Sequence, residues 1–274
     1  MVVSGQKLQA LERRIREDLE YIDRASPMDE ESPRRWHDAV ELTREFLASP
    51  GSQGKNPAGR CHQARSDTPE LNFLTMHRRD FTRVAPYPAQ YNFVQWQDQA
   101  GELHVVERQG GDKFPVYDSR RANRAGGAVA ITLGVVSGTY TPDTLLTVYD
   151  LQPGGPKSAR HLVTMPDLQK RGVTRSGEGS YRFDRSRWQV DLNPDTPQPT
   201  VEFREKFRDQ QGRLQTPEQP TARMLWDGDH LVWDSPTEAA AEIQRLAQTT
   251  PLPEFEQGEE WVQIGDQVVT NNPD

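Results

Sequence analysis

The sequence predicts an α+β fold: an N-terminal helix pair, a mainly antiparallel β-sheet core and a C-terminal ββαβ unit. Three observations carry this expectation. Apolar residues recur at helical spacing over the first 48 positions and at every second position from Leu71 onward. The chain of 274 residues holds 21 prolines and 20 glycines, which demands many turns and short elements. Its length allows a real core, although hydrophobic content is only 34% and mean hydropathy is −0.86.

In the first helix Leu8, Leu11, Ile15, Leu19 and Ile22 form one apolar stripe, with charges opposite. A second helix opens at Ser32-Pro33, a cap and first-turn pair, and carries Trp36, Ala39, Val40, Phe46 and Leu47. Residues 49–70 are rich in Gly, Pro and Ser and read as a flexible connection. YNFVQWQ (91–97) and LHVVER (103–108) flank the turn DQAGE and predict a β-hairpin. AVAITLGVV (128–136) predicts a strand buried on both faces, with TLLTVYDL (144–151) as its neighbour. SYRFDRSRWQVDL and TVEFREKF, joined by NPDTPQP, predict another hairpin. A short hairpin over 221–233, a helix over 236–248 and a strand or hairpin over 261–269 complete the chain. The expected units are a helical hairpin at 1–48, a linker at 49–70, a β-rich domain at 71–215 and an acidic ββαβ module at 216–274.

Several chemistries lack their signatures. The N-terminus has no apolar leader, and AVAITLGVV is far too short to span a bilayer, so a cytoplasmic protein without a membrane segment is expected. The single cysteine, Cys61, allows no intrachain disulfide and reads as an exposed loop thiol. There is no GxxxxGK[ST] loop and no GxSxG elbow, and Gly177-Glu-Gly179 sits in a charged loop. The six histidines share no helical turn, which removes HExxH zinc sites. No lysine has Asp or Glu two residues before it, as a PD-(D/E)xK nuclease would need. No catalytic residue, metal or cofactor is assigned.

The net charge of −8 is unevenly spread. Residues 60–188 hold 18 Lys/Arg against 13 Asp/Glu, a net of +5, whereas 189–274 hold 6 against 17, a net of −11. Such asymmetry suits an anionic partner for the middle of the chain. Arginine outnumbers lysine 27 to 6, and its planar fork matches phosphate. The clusters RRDFTR, SRRANR, KRGVTR and YRFDRSRW nominate Arg78, Arg79, Arg83, Arg120, Arg121, Arg124, Arg171, Arg175, Arg182 and Arg185 for nucleic-acid contact. SRRANR is read as a loop between two β segments. Tyr87, Tyr91, Tyr117, Tyr181 and Trp188 are the aromatic neighbours on which bases could stack.

WDGDHLVWDSPTEAAAEI (226–243) concentrates three aspartates and a histidine around two tryptophans. Most of it needs no active site. Asp227-Gly228 predicts a two-residue hairpin turn, which places Met224, Trp226, Leu231 and Trp233 on one buried face. Ser235-Pro236-Thr237-Glu238 is a capping box for the next helix. His230 alone is left without a structural role. This hairpin, the SPTEAA helix start and Gln257-Gly258-Glu-Glu-Trp261 together resemble the small C-terminal modules of the restriction-adenine-methylase-associated type. About 50 residues are covered, and the paired aromatic that follows in those modules is represented only by Trp261. The resemblance implies a hairpin–helix–strand module attached to DNA-modification proteins; the acidic charge of the segment runs against DNA contact.

The leading expectation is a non-catalytic nucleic-acid-binding protein that uses the central sheet. A second is an assembly or adaptor protein that docks a protein partner through residues 8–47. A third is a metal-dependent hydrolase drawing on Asp143, Asp150, Asp184 or Asp191 with His161.

Overall fold

Both expected helices form, at Val2–Arg24 and Ser32–Leu47, because their apolar stripes have a common surface to cover. The computed structural model describes residues 2–25, 29–59, 61–77, 90–109, 116–136, 143–176, 180–209, 211–234, 261–264 and 267–270. Leu8, Leu11 and Ile15 are buried against Trp36, Val40, Phe46 and Leu47, with Leu19 and Ile22 packed beside them. The cap of the second helix differs from expectation. Asp29, not Ser32, supplies it: the Asp29 carboxylate accepts the Ser32 amide at 2.7 Å and the Ser32 hydroxyl at 2.8 Å.

The helices lie on a four-stranded antiparallel sheet in the order His62–Gln63, Leu71–His77, Gln90–Gln97, Leu103–Gln109. The last two strands are the predicted hairpin, with Gln97 opposite Leu103. Alternation assigns the faces. Leu74, Met76, Tyr91 and Phe93 meet the helices, while Leu71, Phe73, Val94 and Trp96 pack against Ala128, Ala130 and Leu151 of the next sheet.

That second sheet has seven strands. Its order runs Val173–Arg175, Tyr181–Phe183, Asp143–Gln152, Gly127–Val136, Val116–Arg124, Arg65–Ser66, and Gly155–Ser158 also pairs with Asp143–Gln152. Gly127–Val136 is central and buried on both sides, as its nearly apolar run predicts. Ala128 and Ala130 face the four-stranded layer; Val129, Ile131 and Leu133 face a third sheet. The third sheet is ordered Val163–Thr164, Leu231–Asp234, Ala222–Trp226, Thr200–Glu205, Trp188–Asn193. Its inner face brings Trp188, Leu192, Phe203, Met224 and Trp226 into the largest apolar cluster. The layers therefore run helices, four strands, seven strands, five strands.

Three sequence expectations change. SYRFDRSRWQVDL is not one strand: Tyr181–Phe183 belongs to the seven-stranded sheet and Trp188–Asn193 to the five-stranded one. The turn at 184–187 carries the chain between them, with the Trp188 amide donating to the Asp184 carbonyl at 2.8 Å. The C-terminal ββαβ unit is not supported. Its first hairpin is an integral part of the five-stranded sheet, because Thr200–Glu205 pairs with Ala222–Trp226. Its helix, 236–248, and the capping box lie outside the described residues, and Trp261–Ile264 and Gln267–Thr270 pair with each other. Finally, Cys61 is buried at 7% exposure instead of lying open in a loop.

Burial pushes the Cys61 thiol up to about 12. Little thiolate then exists at pH 8, and access is closed. A thiol reagent is expected to label the folded protein roughly a hundredfold more slowly than the urea-unfolded chain. Equal rates would show that the thiol is open. No described helix is long and apolar enough to cross a membrane.

Candidate nucleic-acid interface

The ten nominated arginines separate into groups with different work. Arg78, Arg79 and Arg83 lie outside the described residues. SRRANR is not a loop but the second half of the strand Val116–Arg124, and the turn follows it at Ala125-Gly126. Arg120 is buried at 6% exposure. Its guanidinium donates to the carbonyls of Asn193 and Thr196, and its Nε lies 2.7 Å from an Asp67 carboxylate oxygen. Arg121 points to the other face and pairs with Glu70. Arg65 pairs with Asp118 on the same strand and donates to the Leu192 carbonyl at 3.3 Å. Residues 65–70 are thus clasped along the strand, and the hairpin loop at 193–196 is tied to it. Arg120 and Arg121 hold sheets together and have little left for a ligand.

Arg124 sits at the end of this strand, opposite Gly127, and its carbonyl accepts from the Gln99 side chain. Arg175 ends the outermost strand of the same sheet. Four strand spacings separate them, about 19 Å laterally, so they do not form one site.

Convergence occurs elsewhere, on the rim where the outer strands meet the five-stranded sheet. Gly172, at φ 76°, ends a 3-10 turn that carries Lys170 and Arg171. A Cβ there would lie 3.1 Å from the Arg187 side chain, so glycine serves both the left-handed backbone and the close approach. Arg187 donates to the Lys170 carbonyl at 3.2 Å. The Lys206 amide donates to the Arg187 carbonyl at 2.7 Å, and its ammonium to the Arg185 carbonyl at 2.7 Å. Arg185 in turn donates to the Thr144 hydroxyl at 3.1 Å and lies 5.9 Å over the Tyr117 ring. Lys170, Arg171, Arg185, Arg187 and Lys206 therefore share one rim, facing the carboxylates of Asp167, Asp184 and Glu205. Glu205 is taken by Arg171. Asp167 and Asp184 accept backbone amides of their own turns, Gln169 at 3.0 Å and Ser186 at 2.7 Å. Arg175, opposite Tyr181, extends the rim along the outermost strand, whereas Arg182 points to the other face of the sheet and pairs with Asp143. Lys170, Arg175, Arg185, Arg187 and Lys206 have no carboxylate partner among the described residues.

Of the nominated set, the structure brings Arg171, Arg175 and Arg185 to this rim, and Arg182 lies on the opposite face. Lys170 and Arg187 stand in the same short clusters, and Lys206 directly follows the strand Thr200–Glu205. Its place follows from the hairpin of Trp188–Asn193 with Thr200–Glu205, which the sequence predicts.

The stacking expectation is corrected for three rings. Tyr91, Tyr181 and Trp188 are 3%, 6% and 1% exposed and belong to the cores. Tyr117 is half-buried under Arg185, burial pushes its phenol up, and Tyr87 lies outside the described residues.

The aspartate-rich hairpin is structural. Its turn is centred on Gly228-Asp229, one residue later than predicted, with the Asp227 amide donating to the His230 carbonyl at 3.0 Å. The Asp227 carboxylate accepts the amides of Asp229 and His230 at 2.9 and 2.7 Å, which pulls it below the usual carboxylate range. A group depressed on folding adds stability above its unfolded value and loses it as pH falls through the folded one. Stability is therefore expected to drop below pH ~4, and Asp227→Asn, which keeps the acceptor oxygen, to lessen that drop. Urea midpoints across pH 2–6 check this; parallel profiles for the two proteins would contradict it. His230 itself is exposed and tied down only through its backbone.

Among the described residues, the group with metal-ligand spacing is Asp98, Glu102 and His104. Asp98 is already engaged: one oxygen accepts the Ala100 and Glu102 amides at 2.9 Å, and the other contacts His104 Nε2 at 2.8 Å. His104 stacks on Trp96 with ring centroids 5.2 Å apart. The trio closes the 97–103 hairpin. Asp143, Asp150, Asp184, Asp191 and His161 form no such group among the described residues. The apolar stripe of the first helix, considered as a docking element, is spent in the chain's own core.

No family model, curated protein or solved structure matches this chain.

Proposed function

We propose that this protein binds nucleic acid without acting on it chemically, through the cationic rim of Lys170, Arg171, Arg175, Arg185, Arg187 and Lys206. The reading rests on one observation: cations from three separate chain segments converge there, and five have no carboxylate partner among the described residues. Ionic contact of this kind positions a backbone and carries no sequence information. The basic excess of residues 60–188 also supports it.

Binding to duplex DNA should weaken with salt as counterions are released. Five engaged cations predict a slope of about −4.5 in log Kobs against log salt. Lys170 and Arg175 are exposed, and neither side chain makes a bond that the fold needs. Changing both to Gln should weaken binding and reduce the slope by about 2. Filter-binding titrations from low to moderate salt decide the matter. No binding at low salt, or a slope unchanged by the double substitution, would remove the proposal.

A further inference from the structure

We infer that the rim recognises its ligand as a linear chain of phosphates and not through bases, so that inorganic polyphosphate occupies it as nucleic acid does. This rests on the nucleic-acid reading above and narrows its ligand class. Single-strand binders that read bases offer open aromatic faces beside their cations. Here the faces of the rings beside the rim, among the described residues, are used. The Trp188 ring packs edge-on against Phe183 and Phe203, with centroids 6.2 and 6.4 Å away, and the Arg171 guanidinium covers it at 5.2 Å. Its indole N–H donates to the Arg171 carbonyl at 2.7 Å. Tyr181 is in the core and Tyr117 is capped by Arg185. A base could stack on these rings only by displacing a cation that binds phosphate, or by opening the core.

The cations are arranged differently. Lys170 and Arg175 are exposed, whereas Arg185, Arg187 and Lys206 are half-buried and linked through backbone carbonyls. Fixed charges along a rim, spaced by backbone contacts, suit a repeating anion. They give no donor–acceptor pattern to distinguish one base from another.

The test uses the full chain and three probes: labelled duplex DNA, single-stranded oligonucleotides of equal length with and without bases, and sodium polyphosphate. Polyphosphate is expected to displace labelled DNA within about threefold of the phosphate concentration at which unlabelled DNA does so. Abasic and thymidine oligonucleotides should bind within about threefold of each other. Lys170→Gln with Arg175→Gln should weaken direct binding of polyphosphate and of DNA in parallel. Polyphosphate that fails to compete at hundredfold phosphate excess, or tenfold tighter binding of thymidine than abasic oligonucleotide, overturns the inference while leaving nucleic-acid binding intact. Calorimetry with polyphosphate alone separates the remaining outcomes: binding without any DNA binding rejects the nucleic-acid reading only, and binding of neither rejects both.

Discussion

Arg120→Ala is expected to destabilise the protein by about 1–3 kcal/mol, because a buried arginine that donates to two backbone carbonyls is lost and they are left without a partner. Arg120 joins three elements: its own strand, Asp67 in the segment between two strands of the four-stranded sheet, and the carbonyls of Asn193 and Thr196 in the five-stranded sheet's hairpin. Its loss leaves two carbonyls without their donor and breaks an ion pair at a junction between sheets. Arg121 is the internal comparison. Its partner, Glu70, is half exposed, so Arg121→Ala should lose no more than about 1 kcal/mol. Chemical denaturation of the two variants reads the difference. The same variants should leave the salt slope of DNA binding unchanged, since neither arginine belongs to the rim. A drop in that slope for Arg120→Ala, with stability intact, would return this residue to the interface.

Phe203→Ala is expected to cost more, about 3–5 kcal/mol, from lost apolar contact and the cavity left behind. Phe203 is 0% exposed. Its ring lies 5.0 Å from Phe183, 4.9 Å from Trp233 and 6.4 Å from Trp188, centroid to centroid. It therefore locks the five-stranded sheet onto the outer strand Tyr181–Phe183 and supports the turn that carries Arg185 and Arg187. Tryptophan emission should shift in this variant along with the denaturation midpoint, because two indoles lose a neighbour. A loss below about 1 kcal/mol would mean that the two sheets are held by something else.

What was legible in the sequence was whatever depends on local period. The helix stripe Leu8–Leu11–Ile15, the hairpin at 90–109, the buried run 128–136 with its neighbour 143–152, and the 222–234 hairpin all follow from residues close together in the chain. What depends on long-range pairing was not legible. DRSR looked like strand because charge alternates with aromatics through it, yet Asp184 turns the chain from one sheet to another. The arginines of SRRANR looked like ligands for an external anion. Their carboxylates stand 50 or more residues earlier in the chain, and only folding brings them together. The same reasoning explains the rim. Arg171, Arg175 and Arg185 are visible as clusters and Lys206 follows from the predicted hairpin, but only folding brings the 170–175 segment beside Arg187 and Glu205.

The most direct test of the cationic rim is the slope of log Kobs against log salt for duplex DNA, measured on the wild-type chain and on Lys170→Gln with Arg175→Gln. A wild-type slope of about −4.5 that falls in magnitude by about 2 in the double variant is the predicted result. Absence of binding at low salt, or equal slopes for the two proteins, would contradict it.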